Sequence, residues 1–111
     1  MDTLLAGLER QRKKRYKKAQ LVIEILRDIL IRKYHIKKII LIGSCLNENN
    51  FHSHSDIDLC VEGLPHNCFF KALGELLIEA GEFNVDLIPI EDANTRMKEY
   101  IKKGKIIYEK S

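Results

Sequence analysis

Leu8, Tyr16, Ala19, Ile23, Leu26 and Leu30 recur at spacings of three, four or multiples of four. That period puts them on one stripe of a long first helix, starting at a cap on Asp2 or Thr3 and reaching about Lys33. The pattern then changes. Ile36 to Ile42 is rich in β-branched residues and apolar through its second half, which predicts a central strand covered on both faces and ended by Gly43. After a polar loop, Asp56 to Val61 alternates, with Ile57, Leu59 and Val61 on one face and Asp56, Asp58 and Cys60 on the other.

The second half of the chain repeats the alternation of helix and strand. Pro65 suits the first turn of a second helix, in which Phe69, Leu73, Leu76, Leu77 and Ala80 recur at helical spacing before Gly81 stops it. Asn84 to Ile88 reads as a third strand ended by Pro89, with Val85 and Leu87 on one face and Asp86 and Ile88 on the other. A last helix is expected from Glu91 to Lys103, with Ala93, Met97, Tyr100 and Ile101 inward and Gly104 as its stop. Lys105 to Tyr108 follows as a short edge strand. The sum is an α/β (α+β) fold, a small mixed β-sheet covered by helices, with a long N-terminal helix.

Length limits what this fold can carry. At 111 residues the chain is expected to form one domain, residues 1–111, with a helix over 1–34 and a core over 36–108. A second substrate must then bind a small surface or arrive on a partner. The longest apolar run, Ile39 to Ile42, is far below membrane-spanning length, so no membrane is expected. The charged first twenty residues show no apolar stretch ahead of a cleavage site, and three cysteines, Cys45, Cys60 and Cys68, form an odd set without metal-type spacing. Both features suit reduced thiols in the cytoplasm. The net charge of +3 is local: residues 9 to 18 hold seven of nineteen basic residues and one of sixteen acids, so the rest of the chain is net acidic. The run reads first as a solvated helix face and second as a contact for nucleic acid or an acidic partner. Tyr16 alone interrupts it as an aromatic.

The acids change the picture. Asp56 and Asp58 point to the same side of their strand, and a neighbouring strand carrying Asp86 would bring a third carboxylate to the patch. Two such charges about 4 Å apart repel by about 1 kcal/mol in water and about 4 kcal/mol in a partly buried site. Oxygen-only ligands of this kind favour Mg²⁺ or Mn²⁺, and Mg²⁺ typically combines one or two carboxylates with substrate phosphates. Gly43-Ser44 offers the complementary half, a backbone that can approach an anion closely and a hydroxyl beside it.

The Gly43-Ser44 pair, the loop, SDIDL from Ser55 to Leu59 and VDLI from Val85 to Ile88 together resemble the signature of nucleotidyltransferases related to DNA polymerase β. The length resembles the minimal nucleotidyltransferases, the group that includes antitoxins paired with HEPN-domain toxins. The helix preceding GKIIYE is similar to that group as well. By this resemblance Gly43, Ser44 and Ser55 would bind the nucleotide. Asp56, Asp58 and Asp86 would be catalytic and hold two divalent ions, with Asp86 also helping to deprotonate the acceptor hydroxyl. The implied substrate is a nucleoside triphosphate, ATP first, and the implied acceptor is a hydroxyl on a HEPN-type toxin. The chain departs from the family in its loop of eleven residues between Ser44 and Asp56, longer than usual, and in Cys45, Leu46, Asn47 and Glu48, which stand where arginines commonly follow Gly-Ser. A carboxylate at 48 cannot replace an arginine on a triphosphate, which leaves His52 and His54 as candidate phosphate donors. Three readings therefore stand: an AMP-transferring antitoxin enzyme, a binding-only antitoxin with a weak nucleotide site, and a nucleic-acid-binding protein acting through residues 9 to 18. A homo-oligomer remains open.

Overall fold

The computed structural model describes residues 3–111, so Asp2, one of the two cap positions expected, lies outside them, and Thr3, the other, is already helical. Helix α1 spans Thr3–Tyr34 and ends in a left-handed turn at His35 (φ 53°), with the Ile36 N–H closing back on the Leu30 carbonyl at 3.3 Å. That closure satisfies a carbonyl otherwise orphaned at the helix end. Ala19, Val22, Ile23, Leu26 and Leu30 form its buried stripe. Leu8, expected on that stripe, is exposed. A 32-residue helix runs about 48 Å, whereas strands of five or six residues span about 20 Å, so the sheet cannot cover its N-terminal part.

Strands β1 (Lys38–Ile42), β2 (Ile57–Glu62), β3 (Val85–Pro89) and β4 (Lys105–Glu109) form one mixed sheet in the order β3-β2-β1-β4. β1 is antiparallel to both β2 and β4, while β2 and β3 run parallel. The parallel pair needs a crossover, and helix α2 (Phe69–Ala80) provides it. Pro65 does not begin that helix. It is extended and precedes a 3₁₀ turn at His66–Cys68, and α2 starts at Phe69. Helix α3 spans Thr95–Lys102, shorter than the periodicity suggested, because the Asn94 side chain accepts the Met97 N–H at 2.8 Å and fixes the start there. Met97 and Ile101 face the sheet, and Tyr100, one helical step away, is exposed rather than inward.

The sheet's two faces are covered unequally. One packs Ile39, Leu41, Ile57, Leu59, Val61, Val85 and Leu87 under α1 and α2 in the main core. The other carries Ile40, Ile42 and Cys60 beneath Ile101 of α3, with Met97 and Ile88 at the margin. Cys60 is therefore buried, and the end of this face near the start of β2 and β3 stays open. Gly104 lets the turn between α3 and β4 pack closely on β1: a Cβ would fall 2.6 Å from Ile40 Cγ2 and 2.7 Å from the Leu41 carbonyl oxygen. Among the described residues no helix is long and apolar enough to cross a membrane.

Candidate functional site

The open end of that thin face gathers the predicted residues. β1 ends at Ile42, which pairs with Asp58, and Asp58 lies directly beside Asp86 in the parallel β2/β3 register. Cross-strand neighbours share a face, so both carboxylates project where α3 does not reach. Asp56 precedes β2 and is exposed, as is Asp86, whereas Asp58 is half-buried. Burial first, then the charges of Asp86 and Asp56, push the Asp58 carboxyl up to about 6. The three acids thus share one electrostatic patch. Among the described residues no three His, Cys, Asp or Glu side chains close on a common point as a metal cage would.

Gly43 forms the opposite wall. Its φ of 81° is a left-handed conformation that disfavours a side chain, and a Cβ there would sit 2.5 Å from Asp58 Oδ2. Glycine therefore leaves room for the carboxylate as well as turning the chain. Gly43–Leu46 continues as a 3₁₀ turn with no side chain capping its start, so its first N–H groups are not taken by a cap. The Ser44 hydroxyl donates to Ser55 Oγ at 2.8 Å, and the same oxygen accepts the His52 N–H at 2.8 Å. Ser55, expected at the nucleotide, is only 3% exposed and holds the turn from beneath.

The rest of the loop is ordered by short polar contacts. Asn47 accepts the Asn50 N–H at 3.0 Å and caps a second 3₁₀ turn at Glu48–Asn50, after which Phe51 is buried. His52 and His54 are exposed, and His52 Nδ1 accepts the His54 N–H at 3.2 Å. Cys45 is buried and donates to the Asp56 carbonyl at 3.3 Å, and burial pushes the thiols of both Cys45 and Cys60 up to about 11.

The basic segment does more than face water. Lys13, Lys14 and Lys17 are exposed, but Arg12 donates to the Glu48 and Phe51 carbonyls, the latter at 3.3 Å. Arg15 lies 4.5 Å over the Phe83 ring and pairs with Glu82 at 3.3 Å. Tyr16 meets Phe51 edge-on at 5.4 Å, and Gln20 donates to the Cys45 carbonyl at 3.1 Å. Sequence reasoning missed these contacts. The spacing of 12, 16 and 20 marks a single helix face, yet nothing local says which loop that face meets.

Residues 24–111 match the family described as polymerase beta, nucleotidyltransferase. The chain belongs to this family. The match takes in this nucleotidyltransferase's whole sheet and every acid of the patch. Among curated proteins none matches the chain. Among solved structures it is similar to a chain of a toxin-antitoxin complex crystallised with AMP-PNP, at 24% identity and TM-score 0.65 over 79% of this chain and 74% of that one. A mutant of the MntA-HpeT toxin-antitoxin is similar at 23% identity and TM-score 0.62, over 84% and 74%. The tri-AMPylated Shewanella oneidensis HEPN toxin in complex with MNT antitoxin gives 24% identity and TM-score 0.54, over 83% and 70%. These likenesses show the nucleotidyltransferase fold that the resemblance of Gly43-Ser44, SDIDL and VDLI implied.

Proposed function

We propose that this nucleotidyltransferase moves AMP from ATP onto a hydroxyl of a HEPN-type toxin and acts as the antitoxin of that pair. The observation that carries the reading is Asp58 beside Asp86 in parallel register, with Gly43 cut back to make room, in a chain of the polymerase beta nucleotidyltransferase family. Similar structures described as a toxin-antitoxin with AMP-PNP and as a tri-AMPylated HEPN toxin with MNT antitoxin support the nucleotide, the product and the partner class. In this reading residues 1–111 act as one domain, with helix α1 bracing a catalytic core at 36–108. The reaction is cytoplasmic, where ATP and reduced thiols coexist.

Asp56, Asp58 and Asp86 would hold two Mg²⁺ ions, or Mn²⁺. The donor set fits: it is oxygen only, it is crowded enough to raise Asp58, and Mg²⁺ takes waters and phosphate oxygens beside one or two carboxylates, so a closed cage of side chains is not required. Bound there, the ions neutralise phosphate charge and stabilise the entering and departing oxygens of an in-line displacement. Gly43 and Ser44 receive the outer phosphates on the uncapped N–H groups of their turn. Ser55 keeps Ser44 in place. Asp86, exposed at the start of β3, takes the proton of the acceptor hydroxyl as its oxygen bonds to the α-phosphorus. The bond from that phosphorus to the bridging oxygen breaks, and pyrophosphate leaves.

Mass spectrometry of a HEPN-type partner incubated with the chain, ATP and Mg²⁺ tests the reading. The expected result is an added AMP on a hydroxyl residue, abolished by Asp58→Ala while the complex still forms. Neutralisation without a mass change, equally strong with Asp58→Ala, would replace this reading with that of a binding-only antitoxin.

A further inference from the structure

Three side chains at a spacing of four, Arg12, Tyr16 and Gln20, line one face of α1, and all three touch the segment that starts at Gly43-Ser44. Arg12 donates to the carbonyls of Glu48 and Phe51, Tyr16 packs edge-on against the Phe51 ring, and Gln20 donates to the Cys45 carbonyl. The bonded carbonyls lie three residues apart, at 45, 48 and 51. The segment runs opposite to α1 as two 3₁₀ turns, Gly43–Leu46 and Glu48–Asn50, separated by the extended Asn47, and each turn or its end offers a carbonyl to the helix face. The Arg12 guanidinium is itself held by Glu9, one turn earlier in α1.

Both ends of the strapped segment lead into the site. Cys45 donates to the Asp56 carbonyl, tying the first anchored residue to the first acid. Phe51 leads into His52, whose N–H donates to Ser55 Oγ, the oxygen that also receives the Ser44 hydroxyl. We propose that Arg12, Tyr16 and Gln20 are positioning residues: a strap that fixes segment 43–51 in the conformation that receives the triphosphate. The strap reaches only backbone carbonyls and one ring, so it tolerates the loop's own sequence, in which no residue from Cys45 to Phe51 is basic. Order imposed from α1 then takes the place of loop arginines, lowering the entropy lost when nucleotide binds. The inference rests on Gly43-Ser44 being the phosphate-binding turn.

The test uses the full chain with Arg12→Gln plus Gln20→Ala, Arg12→Lys, and Lys13→Gln as a control that loses a charge but no loop contact. Hydrogen exchange reports on peptides covering 43–56, calorimetry gives the Kd for ATP with Mg²⁺, and transfer kinetics separate KM from kcat. In the double variant, exchange across 43–51 should accelerate and the Kd and KM for ATP should rise about tenfold, the scale of one or two lost hydrogen bonds. kcat should stay within about twofold, since the acids are untouched. Arg12→Lys should recover part of the affinity and Lys13→Gln should match the parent. Unchanged exchange, faster exchange without a change in Kd, or a Lys13→Gln effect as large as that of the double variant would each overturn the strap. If the parent chain binds no ATP, the proposed function falls, and exchange alone decides: acceleration confined to 43–51 upholds the ordering role, and no change overturns it.

Discussion

At the scale of single residues, Asp58 sits where its charge costs stability. Its carboxyl is half-buried between Asp86 and Gly43, and burial with two neighbouring charges lifts it from an ordinary 3.8 to about 6. An acid whose folded pKa lies above its unfolded one binds more protons in the native state, so it costs stability progressively as pH rises from about 4 to about 6. In protein stripped of divalent ions, Asp58→Asn should therefore raise the midpoint of thermal unfolding at pH 7. The gain should shrink through pH 6 to 4 and vanish below, where both versions are neutral. Melting curves across that range check this, and a gain that grows toward low pH would contradict the assignment. The sequence announced the acids through their alternation with Ile57, Leu59 and Val61. Their unequal burial came from the neighbours, because α3 covers Cys60 and stops short of Asp58.

At the scale of elements, caps decide boundaries that periodicity leaves vague. Asn94 starts α3 four residues later than the apolar pattern suggested, and Gly81, with φ of 62°, ends α2 where expected. The end of α1 uses His35 in the left-handed region instead of the glycine usually found there. A β-carbon in that conformation costs about 1 kcal/mol, and His35 is exposed, with no side-chain hydrogen bond to lose among the described residues. His35→Gly should accordingly stabilise the chain by about 0.5–1 kcal/mol in denaturant unfolding, with an unchanged dependence on denaturant concentration. A loss of stability would mean that the imidazole has a role beyond the turn.

For the whole molecule, the uneven charge divides into two uses. Arg12 and Arg15 are half-buried and engaged with the loop and with Glu82 and Phe83, so the basic run is part of the architecture as well as a surface. Lys13, Lys14 and Lys17 remain solvated. Replacing these three with Gln should shift the midpoint of thermal unfolding by no more than about 2 °C and leave the proposed AMP transfer unchanged, as for exposed surface charges. Tight RNA binding that falls steeply with salt in the parent chain and disappears in this triple variant would instead make nucleic acid the target of this face.

What the chain determined by itself is local and periodic. The helical stripe from Ala19 to Leu30, the alternation in Asp56 to Val61 and Val85 to Leu87, and the Gly43-Ser44 break are each set by spacing within one element, so they could be read without knowing what lies across from them. They suffice for the order of strands and helices, and the family was legible through the resemblance of the Gly43-Ser44, SDIDL and VDLI motifs. Tertiary structure alone decided the rest, because it depends on which surfaces meet: Asp58 against Asp86 through a parallel register, Gly43 against Asp58 Oδ2, and Ser55 turned beneath its loop. The α1 face of Arg12, Tyr16 and Gln20 belongs with these. A spacing of four names a face, but only the packing of a long helix over a short sheet brings that face to the carbonyls of residues 45, 48 and 51.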